Sequence, residues 1–318
     1  MIIHQNIPLS ELLFYRIGGT ASYVLEVKST EDVLEACDFI KKNYIASWMV
    51  VGLGANLLMK DGNFDGAIIW MTKPNIPDIT ISQGLINAFA GQALDDLVQF
   101  SFEDNYIGLE SLGGLPSTVG GAIRGNAGAF GTEMQDVIER VEVYDLSDRQ
   151  IKTISNQECE FSYRDSIFKH TNQYIILRGI FRLQEATAEE VAQARAVYQE
   201  KISYRETSHP TEYPSCGSVF KNVREPEKVQ KVLSVWPDIQ EVVQTKWHGK
   251  ISMGYVIKRL GFSGMQVGGA KITEKHANYI CNVDHAKARD VLDIISQIKT
   301  KFEATFGFSP EVEAEIVS

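Results

Sequence analysis

Glycine is concentrated where a main-chain grip on a ligand would need it. Between Gly108 and Gly131 the chain reads GLESLGGLPSTVGGAIRGNAGAFG and carries eight of the 25 glycines. A shorter loop, Gly52-Leu53-Gly54-Ala55-Asn56-Leu57-Leu58, follows the apolar run Trp48-Met49-Val50-Val51. Lacking a Cβ, glycine lets backbone N–H groups turn inward and approach a ligand closely. Two such loops predict a large phosphate-bearing ligand gripped mainly by main chain, and a dinucleotide cofactor fits. The first loop departs from G-x-G-x-x-G at Leu57, and no acidic residue lies about twenty positions on, so the Rossmann fingerprint fails. Alone, that loop reads equally well as an ordinary strand-to-loop turn. In the second region, Leu115-Pro116-Ser117-Thr118-Val119-Gly120-Gly121-Ala122 is expected to open a helical turn whose free N–H groups point at an anion. Gly125-Asn126-Ala127-Gly128-Ala129 adds small residues against which a flat ring can lie. The low charge of this region argues against a solvated surface loop.

Three further groups carry possible chemistry. Arg164 stands in Phe161-Ser162-Tyr163-Arg164-Asp165-Ser166, where its plainest reading is a surface arginine paired to Asp165. Ser218 follows Gly217 and precedes Val219-Phe220-Lys221-Asn222; this is not G-x-S-x-G, so a hydrolase nucleophile is excluded and a turn residue is the plain alternative. Glu311 and Glu313 flank Val312 after Pro310, a setting in which carboxylates are ordinarily solvated. Cys216 lies seven residues from His209 with no third member, which favours a semi-buried structural thiol over a nucleophile.

The elements that must hold these residues alternate in the first third of the chain. Strands are expected at 22–27, 47–51, 66–70, 79–81 and 86–90. Ser29 followed by Glu31 and Asp32 predicts a capped helix through Lys42. Residues 93–105 place Leu94, Leu97, Val98 and Phe102 on one helical face. Strands follow near 141–144, 151–154 and 174–183. A polar, alanine-rich helix over 187–204 is expected to connect a first domain, 1–186, to a second, 187–318. A terminal helix over 284–306 carries the stripe Val291, Ile295, Ile298 and Phe302, read as core.

The chain has 318 residues, long enough for two domains, and a formal charge of −10. That charge argues against nucleic acid as a partner, because phosphate backbones demand a basic surface. Four cysteines without a C-x-x-C pair, and six histidines never at helical pair spacing, predict neither a metal cage nor a disulfide framework. The N-terminus lacks the basic start and apolar core of a signal peptide, and no apolar run approaches membrane-spanning length. The expectation is a cytoplasmic protein without membrane partners.

Taken together these segments resemble the UDP-N-acetylenolpyruvoylglucosamine reductase family, in order and over nearly the whole chain. Tyr15-Arg16-Ile17-Gly18-Gly19-Thr20-Ala21 resembles its entry motif, Val51 to Leu58 its G-x-G-S-N-L-L loop, and Gly108 to Gly131 its G-L-E…G-I-P-G-T-V-G-G…N-A-G-A-Y-G region. Tyr163 to Lys169, Gly217 to Asn222 and Phe306 to Val312 complete the set. The resemblance implies an α+β fold: a two-subdomain FAD-binding domain of the PCMH, or vanillyl-alcohol-oxidase, type, then a smaller α+β substrate domain. It implies noncovalent FAD, NADPH as co-substrate, and reduction of the enolpyruvyl group of a UDP-sugar during peptidoglycan precursor synthesis, by a monomer. Hydride delivery to the β-carbon leaves negative charge at the α-carbon and carboxylate.

By resemblance Arg164 stabilises that charge, Ser218 donates the proton, and Glu311 orients or polarises the same oxygen. The implied cofactor contacts are Gly52, Gly54, Ala55, Asn56, Leu57, Pro116, Ser117, Gly120, Gly121, Asn126 and Gly128; the implied substrate contacts are Tyr163, Asn222 and His276. Ala55 replaces the family's usual Ser and Ser117 its usual Gly, the latter tolerable only at negative φ. Arg124, Glu313 and Ser208 also depart from the common pattern. Two rival readings are another FAD-dependent oxidoreductase of the same fold, and a catalytically silent nucleotide-binding homologue.

Overall fold

Ser29 caps the first long helix as its spacing requires, its hydroxyl accepting the Asp32 N–H at 3.2 Å. Helix Thr30–Lys42 then turns Val33, Ala36, Cys37 and Ile40 inward. This computed structural model describes residues 1–317. The chain divides into two compact units: residues 1–7, 21–53 and 64–207, and residues 8–20, 54–63 and 208–318.

The first unit holds two sheets. One is four-stranded, ordered Ile2–Pro8, Thr20–Val27, Asn63–Met71, Trp48–Val51, with the last two parallel and Val51 opposite Trp70. The other is antiparallel and five-stranded, ordered Gln150–Ser155, Ile138–Asp145, Tyr174–Phe181, Leu85–Phe89, Ile79–Ser82. A single buried cluster joins Val27, Ile69, Ile86, Leu97, Val141 and Leu177. The expected stripe of Leu94, Leu97, Val98 and Phe102 is buried on helix Leu94–Glu103. Strand Ile2–Pro8 is not foreshadowed by the sequence; it lies at a sheet edge with Ile2 and Ile3 exposed, so it shows no apolar alternation.

The packing does not break after residue 186. Helix Ala188–Ser208 buries Val191, Ala194 and Tyr198 in the first core. The Tyr198 hydroxyl bonds Asp95, and its ring stands edge-on to Phe102 at 5.9 Å. Those contacts carry the first unit to Thr207.

The second unit is assembled from three pieces of chain. Leu57–Met59 pairs in parallel with Glu315–Val317, and Tyr15, Ile17 and Leu58 enter a core with Val256, Ile294 and Phe302. The buried Tyr15 hydroxyl donates to the Ile280 carbonyl at 2.7 Å. A three-stranded sheet, Gln266–Val267, Ala270–Ile272 and Ile280–Asn282, packs with helices Pro226–Val235, Met253–Arg259 and Ala288–Phe306. The terminal helix starts at Ala288, later than residue 284, because Asn282 Oδ1 takes the Ala286 N–H in a preceding turn. The Asp61 carboxylate accepts the Ala288 and Arg289 N–H groups at 3.0 and 3.1 Å, an anion where the helix dipole favours one. The predicted stripe of Val291, Ile295, Ile298 and Phe302 is buried. Among the described residues no helix is long and apolar enough to cross a membrane, and no cluster of His, Cys, Asp and Glu has the makings of a metal site.

Candidate functional site

The two glycine loops meet in the first unit at one point. A Cβ built on Gly52 would lie 2.3 Å from Thr118 Oγ1, so only glycine allows this approach. Thr118 in turn caps the short helix Val119–Arg124, its hydroxyl accepting the Gly121 N–H at 3.2 Å. Gly120 presses on Ala90, where a Cβ would meet another Cβ at 2.9 Å. Pro116 leads into this cap, and Ser117 is not among the residues with positive φ, so the Cβ at this turn is accommodated.

The expectation that the helix offers free N–H groups to an anion is corrected. Val119 N donates to Gln92 O at 2.9 Å, Gly120 N to Ala90 O at 2.8 Å, and Gly121 N to the cap. Each donor is consumed because the helix start is sewn to the end of strand Leu85–Phe89. In that region the N–H groups of Ser117 and Thr118 donate to no main-chain carbonyl among the described residues. A phosphate-bearing group therefore fits the loop itself, not the helix terminus.

Gly54, Ala55, Asn56 and Leu57 belong to the second unit. Gly54 has φ +69° and would place a Cβ 2.6 Å from Leu13 Cδ2. Its N–H, and those of Ala55 and Asn56, likewise find no main-chain acceptor among the described residues. The Asn56 side chain is already used: Nδ2 donates to Glu313 O at 3.2 Å, while its own carbonyl accepts from Glu315 N. Tight glycine turns with backbone donors that no main-chain carbonyl takes up suit a flavin dinucleotide.

Asn126 is fully buried at φ +40° and acts as a clip. Its Nδ2 donates to Ser162 O at 2.8 Å and to Glu133, and its Oδ1 accepts from Gln135 N. The amide is spent within the protein, so its contribution to a bound group is placement of the loop. Across that clip lies a tight turn. Ser162 and Asp165 exchange both main-chain hydrogen bonds, leaving Tyr163 and Arg164 at the tip. Arg164 has φ +58°, its guanidinium donates to Gly128 O at 2.5 Å, and its charge sits 5.2 Å from the Tyr163 ring centre. Asp165 is held below the usual carboxylate range, against the cost of its partial burial, by His170 and the Ser166 N–H.

In the second unit, residues 218–222 run antiparallel to 311–314. Glu313 N donates to Val219 O, Lys221 N donates to Glu311 O, and Phe220 faces Val312. Ser218 is half-buried, and its hydroxyl has no hydrogen-bond partner among the described residues. The Glu311 side chain is exposed and ion-paired with Lys221. The structure therefore brings Ser218 and Glu311 onto neighbouring segments without a hydrogen bond between them. Asn222 Oδ1 accepts the Met253 N–H at 3.0 Å at the start of helix Met253–Arg259. Its NH2 group has no hydrogen-bond partner among the described residues.

A residue the sequence reading missed organises this segment. Asn278, 3% exposed, accepts the Phe220 N–H on Oδ1 and returns Nδ2 to Phe220 O, while its own carbonyl takes the Val219 N–H. Its signal was an amide side chain inside the otherwise apolar Ala277-Asn278-Tyr279-Ile280. His276, two residues earlier, packs edge-on to His209 at 5.2 Å and to Tyr279 at 4.8 Å; burial lowers its pKa. Cys216 is 2% exposed, and burial pushes its thiol up to about 12, which fits a structural thiol.

Residues 209–317 match the family described as UDP-N-acetylenolpyruvoylglucosamine reductase, C-terminal domain, and residues 21–155 match an FAD binding domain family. The UDP-N-acetylenolpyruvoylglucosamine reductase of Anoxybacillus flavithermus is 30% identical over 99% of this chain and 94% of its own. That of Carboxydothermus hydrogenoformans is 34% identical over 98% and 93%. A crystal structure of the corresponding reductase from Thermus caldophilus superposes with a TM-score of 0.75 at 27% identity, covering 100% of both chains.

Proposed function

Because the chain belongs to the UDP-N-acetylenolpyruvoylglucosamine reductase family, we propose that Arg164, Ser218 and Glu311 serve the FAD-dependent reduction of UDP-N-acetylglucosamine enolpyruvate by NADPH. The chemistry supplied by bound FAD is hydride acceptance from NADPH and hydride delivery to the enolpyruvyl β-carbon. The protein's own residues handle charge and proton. Negative charge develops on the substrate's α-carbon and carboxylate, and a fixed cation aimed there is worth about a hundredfold or more. Arg164 supplies that cation.

The observation that carries this reading is its anchorage: a left-handed turn closed by two main-chain bonds, with the guanidinium tied to Gly128 of the glycine-rich loop. Ser218 donates its hydroxyl proton to the α-carbon. Positioned acids contribute about 10²–10⁴-fold, and a hydroxyl without a protein acceptor is free to point at substrate. Glu311 is paired to Lys221, so an anionic substrate meets a neutral pair instead of a bare carboxylate. Tyr163, Asn222 and His276 complete the substrate contacts, and the backbone of the two glycine loops those to FAD. We place the enzyme in the cytoplasm, without nucleic-acid or membrane partners, on its charge and composition, and expect a monomer.

Anaerobic stopped-flow spectroscopy tests the reading. The flavin-loaded protein is mixed with NADPH and then with the UDP-enolpyruvyl sugar. Bleaching followed by sugar-driven recovery of the flavin colour is expected. Bleaching without recovery would point to another acceptor, and a protein that stays colourless after incubation with FAD would remove both glycine loops from cofactor binding.

A further inference from the structure

We propose that Lys169 is a positioning residue for Arg164, acting through the main chain and not through substrate. The inference rests on the charge-stabilising role given to Arg164 above. A non-glycine residue at φ +58° sits in a conformation that L-residues avoid, so its neighbours must hold it there. Of the two backbone bonds between Ser162 and Asp165, the one from Asp165 N to Ser162 O holds the nitrogen end of the peptide leaving Arg164. Lys169 Nζ holds its oxygen end by donating to Arg164 O at 2.7 Å. On the entering side, Asn126 Nδ2 holds Ser162 O at 2.8 Å, so both carbonyls that bracket the tip are pinned.

Lys169 is itself fixed. It lies on the short helix Ile167–His170, whose first residues are tied down because Ser166 Oγ donates to Arg124 O at 2.7 Å and Ser166 N donates to Asp165 Oδ1. A charge-assisted bond to a neutral carbonyl is stronger than an ordinary one and directional enough to set the peptide plane. The guanidinium in turn donates to Gly128 O. Loss of the left-handed turn at Arg164 would swing its Cβ, and with it the cation, relative to the glycine-rich loop. Small misplacements of a catalytic group cost about a hundredfold in rate.

The test is a double-mutant cycle of Arg164→Met and Lys169→Met in the flavin-loaded enzyme, with both half-reactions followed. Lys169→Met is expected to keep flavin content and NADPH-driven bleaching. It should slow sugar-driven reoxidation by about 10–100-fold, change KM for the sugar far less than kcat, and recover most of the rate as Lys169→Arg, which can still donate to the carbonyl. In the Arg164→Met background the same change should have no further effect. If Arg164→Met reoxidises at the normal rate, the charge-stabilising role itself falls. If Arg164→Met is slow while Lys169→Met is normal, or if the two losses multiply, the positioning role alone is overturned. Should Lys169→Met fail to fold, Lys169→Gln runs the same cycle with the same expected and refuting results, and calorimetric affinity for the UDP-sugar product, expected to stay near the wild-type value, checks that the substrate site is intact.

Discussion

Gly52→Ala probes the contact between the two glycine loops. The added methyl carbon would stand 2.3 Å from Thr118 Oγ1 and 3.0 Å from its Cγ2. The first is about 1.2 Å inside an ordinary contact of about 3.5 Å. Relief needs Thr118 to move, and moving it surrenders the hydrogen bond that caps helix Val119–Arg124. Overpacking of this kind costs about 1–3 kcal/mol, and loss of a threonine cap about 1 kcal/mol. The expected total of about 2–4 kcal/mol is split between destabilised apoprotein and weakened FAD binding; each 1.4 kcal/mol on the latter is a tenfold rise in Kd.

Denaturant melts of the apoprotein and fluorescence titration with FAD measure the two shares. Thr118→Ala should cost only the cap, and in its background Gly52→Ala should be cheaper, since the clashing oxygen is gone. A coupling of about 1–2 kcal/mol is expected. Strict additivity, or a Gly52→Ala protein with unchanged melt and unchanged Kd, would refute a steric role for the loop contact.

Other outcomes follow from the same geometry. Ser218→Ala should leave flavin reduction by NADPH nearly intact and slow sugar-driven reoxidation by about 10²–10⁴-fold; equal reoxidation rates would remove Ser218 from proton donation. Asp145, bonded by Lys152, Ser147 and Gln173, is held well below the usual carboxylate range, chiefly by Lys152. A depressed native pKa gives stability that is present above the unfolded value of about 4 and is lost as pH falls through the native one. The gap in Tm between wild type and Asp145→Asn should therefore be full at neutral pH and close only in strong acid; a gap indifferent to acid would contradict the pairing. All four cysteines are buried, with Cys159, Cys216 and Cys281 pushed up to about 12 and Cys37 to about 11 by burial. A thiol reagent should label none in the native protein at neutral pH and four after unfolding, and fast native labelling would refute their burial.

Local signals in the sequence carried far where local physics decides. Ser29 at its cap, the stripe of helix Leu94–Glu103 and the stripe of the terminal helix all lie in the structure as their spacing predicts. What escaped depends on partners distant in sequence. Asn278 works by clasping residues 58 positions away, which no window could reveal. The donors of Val119 and Gly120 read as free because their acceptors, the Gln92 and Ala90 carbonyls, lie in a turn distant in sequence. Helix Ala188–Ser208 read as a connector because its polar composition hides Tyr198, whose ring and hydroxyl fix it to Phe102 and Asp95. Lys169 passed unnoticed for a different reason: a lysine on a backbone carbonyl leaves no compositional trace.

The second unit has a consequence for how the polypeptide must be made. Its core needs Tyr15, Ile17 and Leu58, and its last strand needs Leu57–Met59 as a neighbour. During vectorial synthesis those early segments leave the ribosome long before Ala288–Phe306 exists, and they must wait, apolar and unpartnered, beside a first unit that can already close. Residues 209–317 produced alone would in turn expose Glu315–Val317 as an unpaired edge, a template for self-association. Truncation at a seemingly natural boundary should thus yield an aggregating fragment, and adding a separate peptide spanning residues 8–63 is the natural route to its rescue.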